Sequence, residues 1–484
     1  MLPPWQCRLC AVGAVNTRKA LPHPVYTYLM NENTTMIRDV DSAAASAVTP
    51  REERRVLAAT VIGTTVEMFD FLVYAQAAGI VFGALFFGPL GQSNPGLATV
   101  LSFATVGISF LFRPLGAIIG GHLGDTIGRK RTLALTLFLM GGATVAIGLL
   151  PTYAQIGAAA PLLLIALRVL QGISAGGEWG GAVLLSVEHA PVGRRGRNGA
   201  FPQIGVPAGL ALASATILLT RAAMSEEQFM SFGWRIPFLC SLVLVVIGIV
   251  IRRAVDESPV FVEMQQLQRR SSAPIGRTFR EQWRRIVHLA LVFAGNNACG
   301  YIIIAFMGTY AIKTWGLPQV PVMLCLLLAA VLWIGTTLWG GVLSDAIGRV
   351  RAHQLGFVLQ AVAMVPMFLL VDRAGADGSL WLFGVGVVLL IPGLGLSYGP
   401  TSSMFAELFP AELRYSGISL AYALGSIIGG AFSAMIAQML LNRFDSSLAI
   451  AAYMIAMSLV GLLAVSFVKE SRNAPLRQEA RVSE

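Results

Sequence analysis

GHLGDTIGRKR at residues 121–131 and GGVLSDAIGRVR at residues 340–351 are one motif written twice. Gly121, Asp125, Gly128, Arg129 and Arg131 return as Gly341, Asp345, Gly348, Arg349 and Arg351, each 220 residues later. A second motif behaves alike: Glu188, Pro191 and Arg195 of EHAPVGRR return as Glu407, Pro410 and Arg414 of ELFPAELR, 219 residues later. Two independent motifs at nearly one offset point to an internal duplication. Long apolar runs surround each copy, and a duplicated apolar chain is the pattern of carriers whose parallel halves rock about a central site.

Composition agrees with that reading. Of 484 residues, 55% are hydrophobic and 12% charged, with a mean hydropathy of +0.70. A soluble domain carries about twice that charged share, so a soluble enzyme is excluded. From Val56 to Phe467 the apolar stretches place spans near 56–82, 98–123, 132–151, 161–187, 200–220, 234–251, 286–311, 321–343, 353–371, 380–404, 415–440 and 447–468. About twenty residues rising ~1.5 Å each cross a hydrocarbon core of about 30 Å. The expected fold is all-α: a polytopic membrane protein with twelve transmembrane helices in two pseudo-symmetric six-helix halves, 51–251 and 286–470. A central cytoplasmic linker, 252–285, joins them, and a short tail, 471–484, follows. Residues 1–50 lack helical or strand period. They read as a solvated, disordered cytoplasmic tail, or as upstream sequence with Met30 or Met36 as the true start.

The net charge of +10 orients the chain rather than binding nucleic acid. Arg51, Arg54 and Arg55, Arg129 to Arg131, Arg194, Arg195 and Arg197, the run from Arg252 to Arg285, Arg349, Arg351 and Arg414 all fall on one set of flanks. The opposite loops hold only Arg221, Arg235, Lys313, Arg373 and Arg443. This positive-inside pattern places both termini in the cytoplasm of a multi-pass plasma-membrane protein, the inner membrane if the source is bacterial. The five cysteines give no disulfide framework, the single Cys-x-x-Cys of Cys7 and Cys10 lacks further ligands and a βαβ context and reads as accidental, and His122, His189 and His353 have no metal spacing. No Walker segment, nucleophile elbow or HExxH occurs, so no enzyme, cofactor or metal site is expected.

GTTVEMFDF (63–71), FLFRPLGAIIGGHLGDTIGRKR (110–131), RVLQGISAGGEWGGAVLLSVEHAP (168–191), FPQIGVPAG (201–209), GWRIPFL (233–239) and ESPVF (257–261) resemble the major facilitator superfamily. Within it they resemble the metabolite:proton symporter branch of shikimate, 2-oxoglutarate, citrate and proline/betaine carriers, over about Arg51 to Glu470. The sequence departs from the branch at Met68 and Phe69, where Trp-Tyr is common, and at Ala75, where Gly is usual. The resemblance implies proton-coupled symport of a small organic acid or related metabolite by alternating access. It also implies an inner gate built from Gly121, Asp125, Gly128, Arg129, Glu188 and Arg195 and their repeats Asp345, Gly348, Arg349, Glu407 and Arg414. The partners implied are a small organic acid or zwitterionic metabolite, protons and membrane lipid, with one chain working as a monomer. Zwitterion symport, exchange or efflux, and a non-transporting sensor stand as alternatives.

Ionisable groups inside the membrane cost several kcal/mol unless paired or hydrated, and here they cluster on one side of the duplication. Glu67, Asp70, Arg113, Arg168 and Glu178 fall in the first half, whereas the matching Val287, Ala290, Trp333, Val388 and Tyr398 carry no charge. Asp70 lies about 22 Å of helix rise beyond its basic flank and Arg168 about 10 Å from the opposite end of span 4, so both occupy one layer. An ion pair between them that breaks on loading would couple a proton to solute, with Glu67 as a second proton site. Substrate contacts are expected from Arg113, Arg168, Gln203, Asn296, Asn297 and Tyr301. Asn296 and Asn297 are 100° apart, so at most one of them is expected to point straight into the cavity. Glu178, among four glycines, is expected to support the inner gate.

Overall fold

A computed structural model describes residues 50–476 except 127–128, 177, 189, 192, 256–274, 411–412, 473 and 475. The tail before residue 50, most of the linker and residues 477–484 lie outside the described residues. Among the described residues every regular element is helical. Ten helical segments are long and apolar enough to cross a membrane. They are α1 (Leu57–Leu85), α2 (Gly96–Ile119), α4 (Ala159–Glu188), α5 (Arg195–Ala223) and α7 (Thr278–Thr314), then α8 (Gln319–Ile347), α9 (Arg349–Asp377), α10 (Leu380–Leu408), α11 (Arg414–Phe444) and α12 (Ser447–Ser466). Two shorter apolar stretches, α3 (Leu135–Leu149) and α6 (Gly233–Gly248), stand where spans 3 and 6 were expected. The α3 helix itself starts at Arg129, so its first turn is basic rather than apolar. The α6 segment is assembled from three short helical pieces that break around Cys240.

Helices are the consequence of an apolar chain in lipid, where each backbone N–H and C=O must find its partner within the segment. Bulky side chains such as Phe138, Leu162, Leu219, Trp381 and Phe467 stay exposed on the outside, as lipid-facing residues do. The interior is built from aromatic and small residues. At Gly172 of α4 a Cβ would collide with the backbone carbonyl of Ser109, so only glycine permits α2 and α4 to approach this closely.

Elements from the two sides of the duplication pack directly: α5 on α8, α2 on α11, α4 on α10 and α11, and α1 on α7. Four π-helical stretches interrupt these helices, at Ala78–Phe82 in α1, Ile302–Phe306 and Tyr310–Thr314 in α7, and Ser426–Ala431 in α11. Such stretches concentrate at functional sites, and two of them, through Ile304 and Ser426, reach a pocket between the helices.

Candidate functional site

A small central cavity lies between α1, α2 and α5 on one side and α7, α8, α10 and α11 on the other. Arg113 of α2 is the charged group in its wall. Phe71 and Phe110 cover the guanidinium, each ring centroid 4.4 Å from Cζ, and Nε and Nη2 are buried without a hydrogen-bond partner. Across the cavity, Asn296 and Asn297 of α7 and Trp333 of α8 present further donors, and the amide nitrogens and the indole N–H are also without partners. Tyr301, Tyr398, Tyr422 and Ser426 complete the polar lining. The arrangement is rich in hydrogen-bond donors, has one cation and is walled by aromatic rings, which suits a small anion with a ring or apolar body.

The expected site residues therefore divide. Arg113, Asn296, Asn297 and Tyr301 line the cavity, and both asparagines reach its wall where at most one was expected to point in. Gln203 does not line it: its Nε2 donates to the Tyr398 carbonyl at 3.3 Å and its Oε1 accepts from Trp179 at 3.1 Å. Trp179 in turn stacks on Tyr422 with ring centroids 3.7 Å apart, so Gln203 fastens α5 to α10 and α4 beneath the cavity.

The expected Asp70–Arg168 ion pair is absent. Arg168 is fully buried and turns to α2, donating to the carbonyls of Thr105 and Val106, to Ser109 Oγ at 2.5 Å and to Gln171 Oε1 at 2.6 Å. The Tyr74 ring covers its guanidinium, at 3.8 Å. Asp70 faces α6 instead, accepting from Ser241 Oγ at 2.6 Å. Helix rise put the two at one depth, but their directions around the helix axes diverge. Glu67 is buried one turn from Asp70 on the same helix.

At the end of the bundle that carries the repeated basic motifs, the second copy of the first motif, residues 340–351, is fully described. Arg349 makes a two-point contact with Glu407, 3.1 and 3.0 Å, and bonds Asp345 at 2.7 Å. Asp345 also accepts the backbone N–H groups of Gly196 and Arg197, 2.8 Å each, capping the start of α5. Glu188 of α4 bonds Arg414 of α11 at 2.7 Å. Of the first copy, Gly128 lies outside the described residues, as do the side chains of Asp125, Arg129 and Glu178 and the environment of Gly121.

The segment after α12 joins this network, which the sequence reading missed. Glu470 accepts the backbone N–H groups of Arg349, Val350, Ser471 and Arg472. It sits against Gly348, whose φ of 102° lets the chain turn there. Burial alone would push the Glu470 carboxyl up, but these donors hold it below the usual carboxylate range. Further along, Arg195 donates to the Ala474 carbonyl at 2.6 Å and Arg414 to the Leu476 carbonyl at 2.7 Å. The aromatic wall was also missed, although Trp333 stands 220 residues after Arg113 and the duplication could have pointed to it.

The Major Facilitator Superfamily profile matches residues 55–434. The Escherichia coli inner membrane metabolite transport protein YhjE is 38% identical over 434 residues, covering 88% of this chain and 97% of its own. The E. coli shikimate transporter is 35% identical over 433 residues, 87% and 95% of the two chains. The Dickeya dadantii glycine betaine/proline/ectoine/pipecolic acid transporter OusA is 31% identical over 434 residues, 88% and 85%. In fold the chain is similar to the proton:xylose symporter XylE bound to 6-bromo-6-deoxy-D-glucose, with a TM-score of 0.68, 16% identity and coverage of 89% and 98%. The cavity between duplicated elements, the repeated end motifs and these likenesses converge: this chain belongs to the Major Facilitator Superfamily, in its metabolite:proton symporter-like family, and is a secondary active transporter of a small metabolite.

Proposed function

We propose that the protein is a proton-coupled symporter of a small carboxylated metabolite. The observation that carries the reading is Arg113, a buried guanidinium in the central cavity with two donor nitrogens lacking a partner. A buried cation without an anion is costly, and a solute carboxylate supplies the missing acceptor. Asn296, Asn297, Tyr301 and Trp333 would hydrogen-bond the rest of the solute. Asp70 carries the coupled proton: it is a buried carboxyl with a single hydroxyl donor on one oxygen and no hydrogen-bond partner on the other. Glu67 serves as a second acid near the cavity. The shikimate carrier among the relatives supports an organic acid. A zwitterion of the betaine type is the second reading, favoured by the Tyr398, Tyr422 and Trp333 rings, whose faces attract a quaternary ammonium.

In this reading α1 to α12 all cross the membrane, with α3 and α6 completed by their basic or broken ends. Residues 51–251 and 286–470 form the two halves that rock about the cavity. The basic end faces the cytoplasm, and both termini lie there. The bonds of Asp345, Arg349, Glu407, Glu188 and Arg414, with Asp125 and Arg129 from the first repeat, close the inner gate and break when it opens. The protein works as a monomer in the plasma membrane.

The test is uptake by proteoliposomes of a panel of labelled organic acids and betaines, with and without an inward proton gradient. An acid should accumulate only with the gradient. Asp70→Asn should lose that accumulation while keeping exchange of labelled for unlabelled solute. Gradient-dependent accumulation by Asp70→Asn would remove Asp70 as the proton carrier, and accumulation indifferent to the gradient would remove symport.

A further inference from the structure

The segment after α12 touches both sides of the duplication at the basic end. Its first residues hold the second side. Glu470 accepts the backbone N–H groups of Arg349 and Val350, which open α9. Ser471 Oγ donates to Glu407 of α10 at 3.0 Å, and Arg472 donates to the Ala346 carbonyl of α8 at 2.6 Å. Its last described residues reach the first side. Arg195, the first residue of α5, donates to the Ala474 carbonyl at 2.6 Å. Leu476 is buried in an apolar cluster that takes Val183, Leu184 and Val187 from α4 as well as Phe409 and Ile418 from the second side. The Leu476 carbonyl accepts from Arg414 at 2.7 Å, and the same guanidinium donates to Glu188 of α4, also at 2.7 Å.

We infer that this segment is a strap that latches the basic end shut, anchored on the second half through Glu470, Ser471 and Arg472 and seated on the first through Ala474 and Leu476. The inference rests on the reading of 51–251 and 286–470 as halves that part at this end. Parting carries Arg195 and α4 away from α8, α9 and α10, to which the strap is tied at three points. The Arg195 bond must then break, and the cluster around Leu476, which draws on both sides, must divide or release the leucine. A guanidinium bonded to a carbonyl is a charge-assisted contact, and a leucine taken from an apolar cluster into water loses its hydrophobic stabilisation. Both costs add to those of the ion pairs at this end, so the strap biases the carrier toward the state that is closed here. It differs from those pairs in one respect: it can be withdrawn without altering any residue of the twelve helices. Displacing the end of the chain therefore eases opening while the cavity stays as it is, which is the action of an autoinhibitory contact.

The experiment needs no solute, because two amides report the parting directly. The Gly196 and Arg197 N–H groups donate across the two sides to Asp345 of α8, 2.8 Å each. Their hydrogen exchange is followed in nanodiscs for the full chain, for a chain ending at Arg472 and for Leu476→Ser. The shortened chain keeps the three anchors and lacks the seat, whereas Leu476→Ser keeps both carbonyls and weakens the seat. Exchange at Gly196 and Arg197 should be at least about tenfold faster in the shortened chain, the worth of one charge-assisted hydrogen bond. Leu476→Ser should act in the same direction by a smaller factor, which keeps the test open if the shortened chain fails to fold. Amides around Gly79 and Thr309, where α1 abuts α7 at the opposite end, should not speed up. Equal acceleration at both ends would make the segment a general stabiliser and overturn the strap. Unchanged exchange at Gly196 and Arg197, at a wild-type rate above that of the α5 interior, overturns the strap alone. Exchange there as slow as the α5 interior in every variant overturns the parting of the halves beneath it.

Discussion

Arg113 meets its surroundings through the faces of its guanidinium, which Phe71 and Phe110 cover, while Nε and Nη2 have no hydrogen-bond partner. Replacing it should therefore affect solute more than fold. Arg113→Ala should weaken binding of the transported acid by about 10- to 100-fold, the worth of charge-assisted hydrogen bonds. Arg113→Lys keeps the charge but loses the planar fork and should cost about tenfold. Equilibrium binding to detergent-purified protein measures both, and unchanged affinity in Arg113→Ala would move the carboxylate elsewhere. At this scale the sequence was informative about which residues matter and silent about whom they meet. A charge inside an apolar run is conspicuous, so Asp70, Arg113 and Arg168 stood out. Rise along a helix gives depth only, however, and the partner of Arg168 depended on Gly172 allowing α2 within reach.

Helix ends tell a different story. Hydropathy located ten long segments, with ends that differ from the expected bounds by up to eight residues at the start of α7, but α3 and α6 fell short because basic residues occupy one end of the first and a break interrupts the second. The π-helical stretches left no mark in the sequence, since they arise from how α1, α7 and α11 pack rather than from residue type. Nor did periodicity reveal Glu470, an exposed acid after the last span, as the cap on the start of α9. Its effect on pH dependence follows from its depressed carboxyl. A group held below its unfolded value stabilises the docked tail fully above the usual carboxylate range and loses that contribution as pH falls through the folded value. Hydrogen exchange in residues 468–476 should be slow at neutral pH and accelerate only in acid. Glu470→Gln should already exchange faster at neutral pH, by roughly the 1 kcal/mol of a lost cap. Equal exchange in the two proteins at neutral pH would show that other contacts hold the tail.

For the whole molecule, the duplicated motifs proved the most legible feature, because a repeat is visible without any knowledge of packing. The repeat did not disclose that closing contacts exist at both ends of the bundle. At the end remote from the basic motifs, Gly79 of α1 abuts Thr309 of α7, and Gly96 of α2 abuts Asn442 of α11. The orientation is open to direct test. Reporters inserted after Lys130, within 252–285 and after Glu484 should be cytoplasmic, and one at Gly378 external; a cytoplasmic signal from Gly378 would break the twelve-span reading. The tail that crosses the basic end carries a consequence for how such a protein can change over generations. Arg195 and Arg414 grip the backbone carbonyls of Ala474 and Leu476, not their side-chain functional groups. Many side chains at Ala474 would satisfy the same bond, whereas Leu476 is also buried in the core and must stay apolar. A single-residue deletion would move both carbonyls out of register at once, so selection would act on the length of this segment as well as on the apolar character of Leu476.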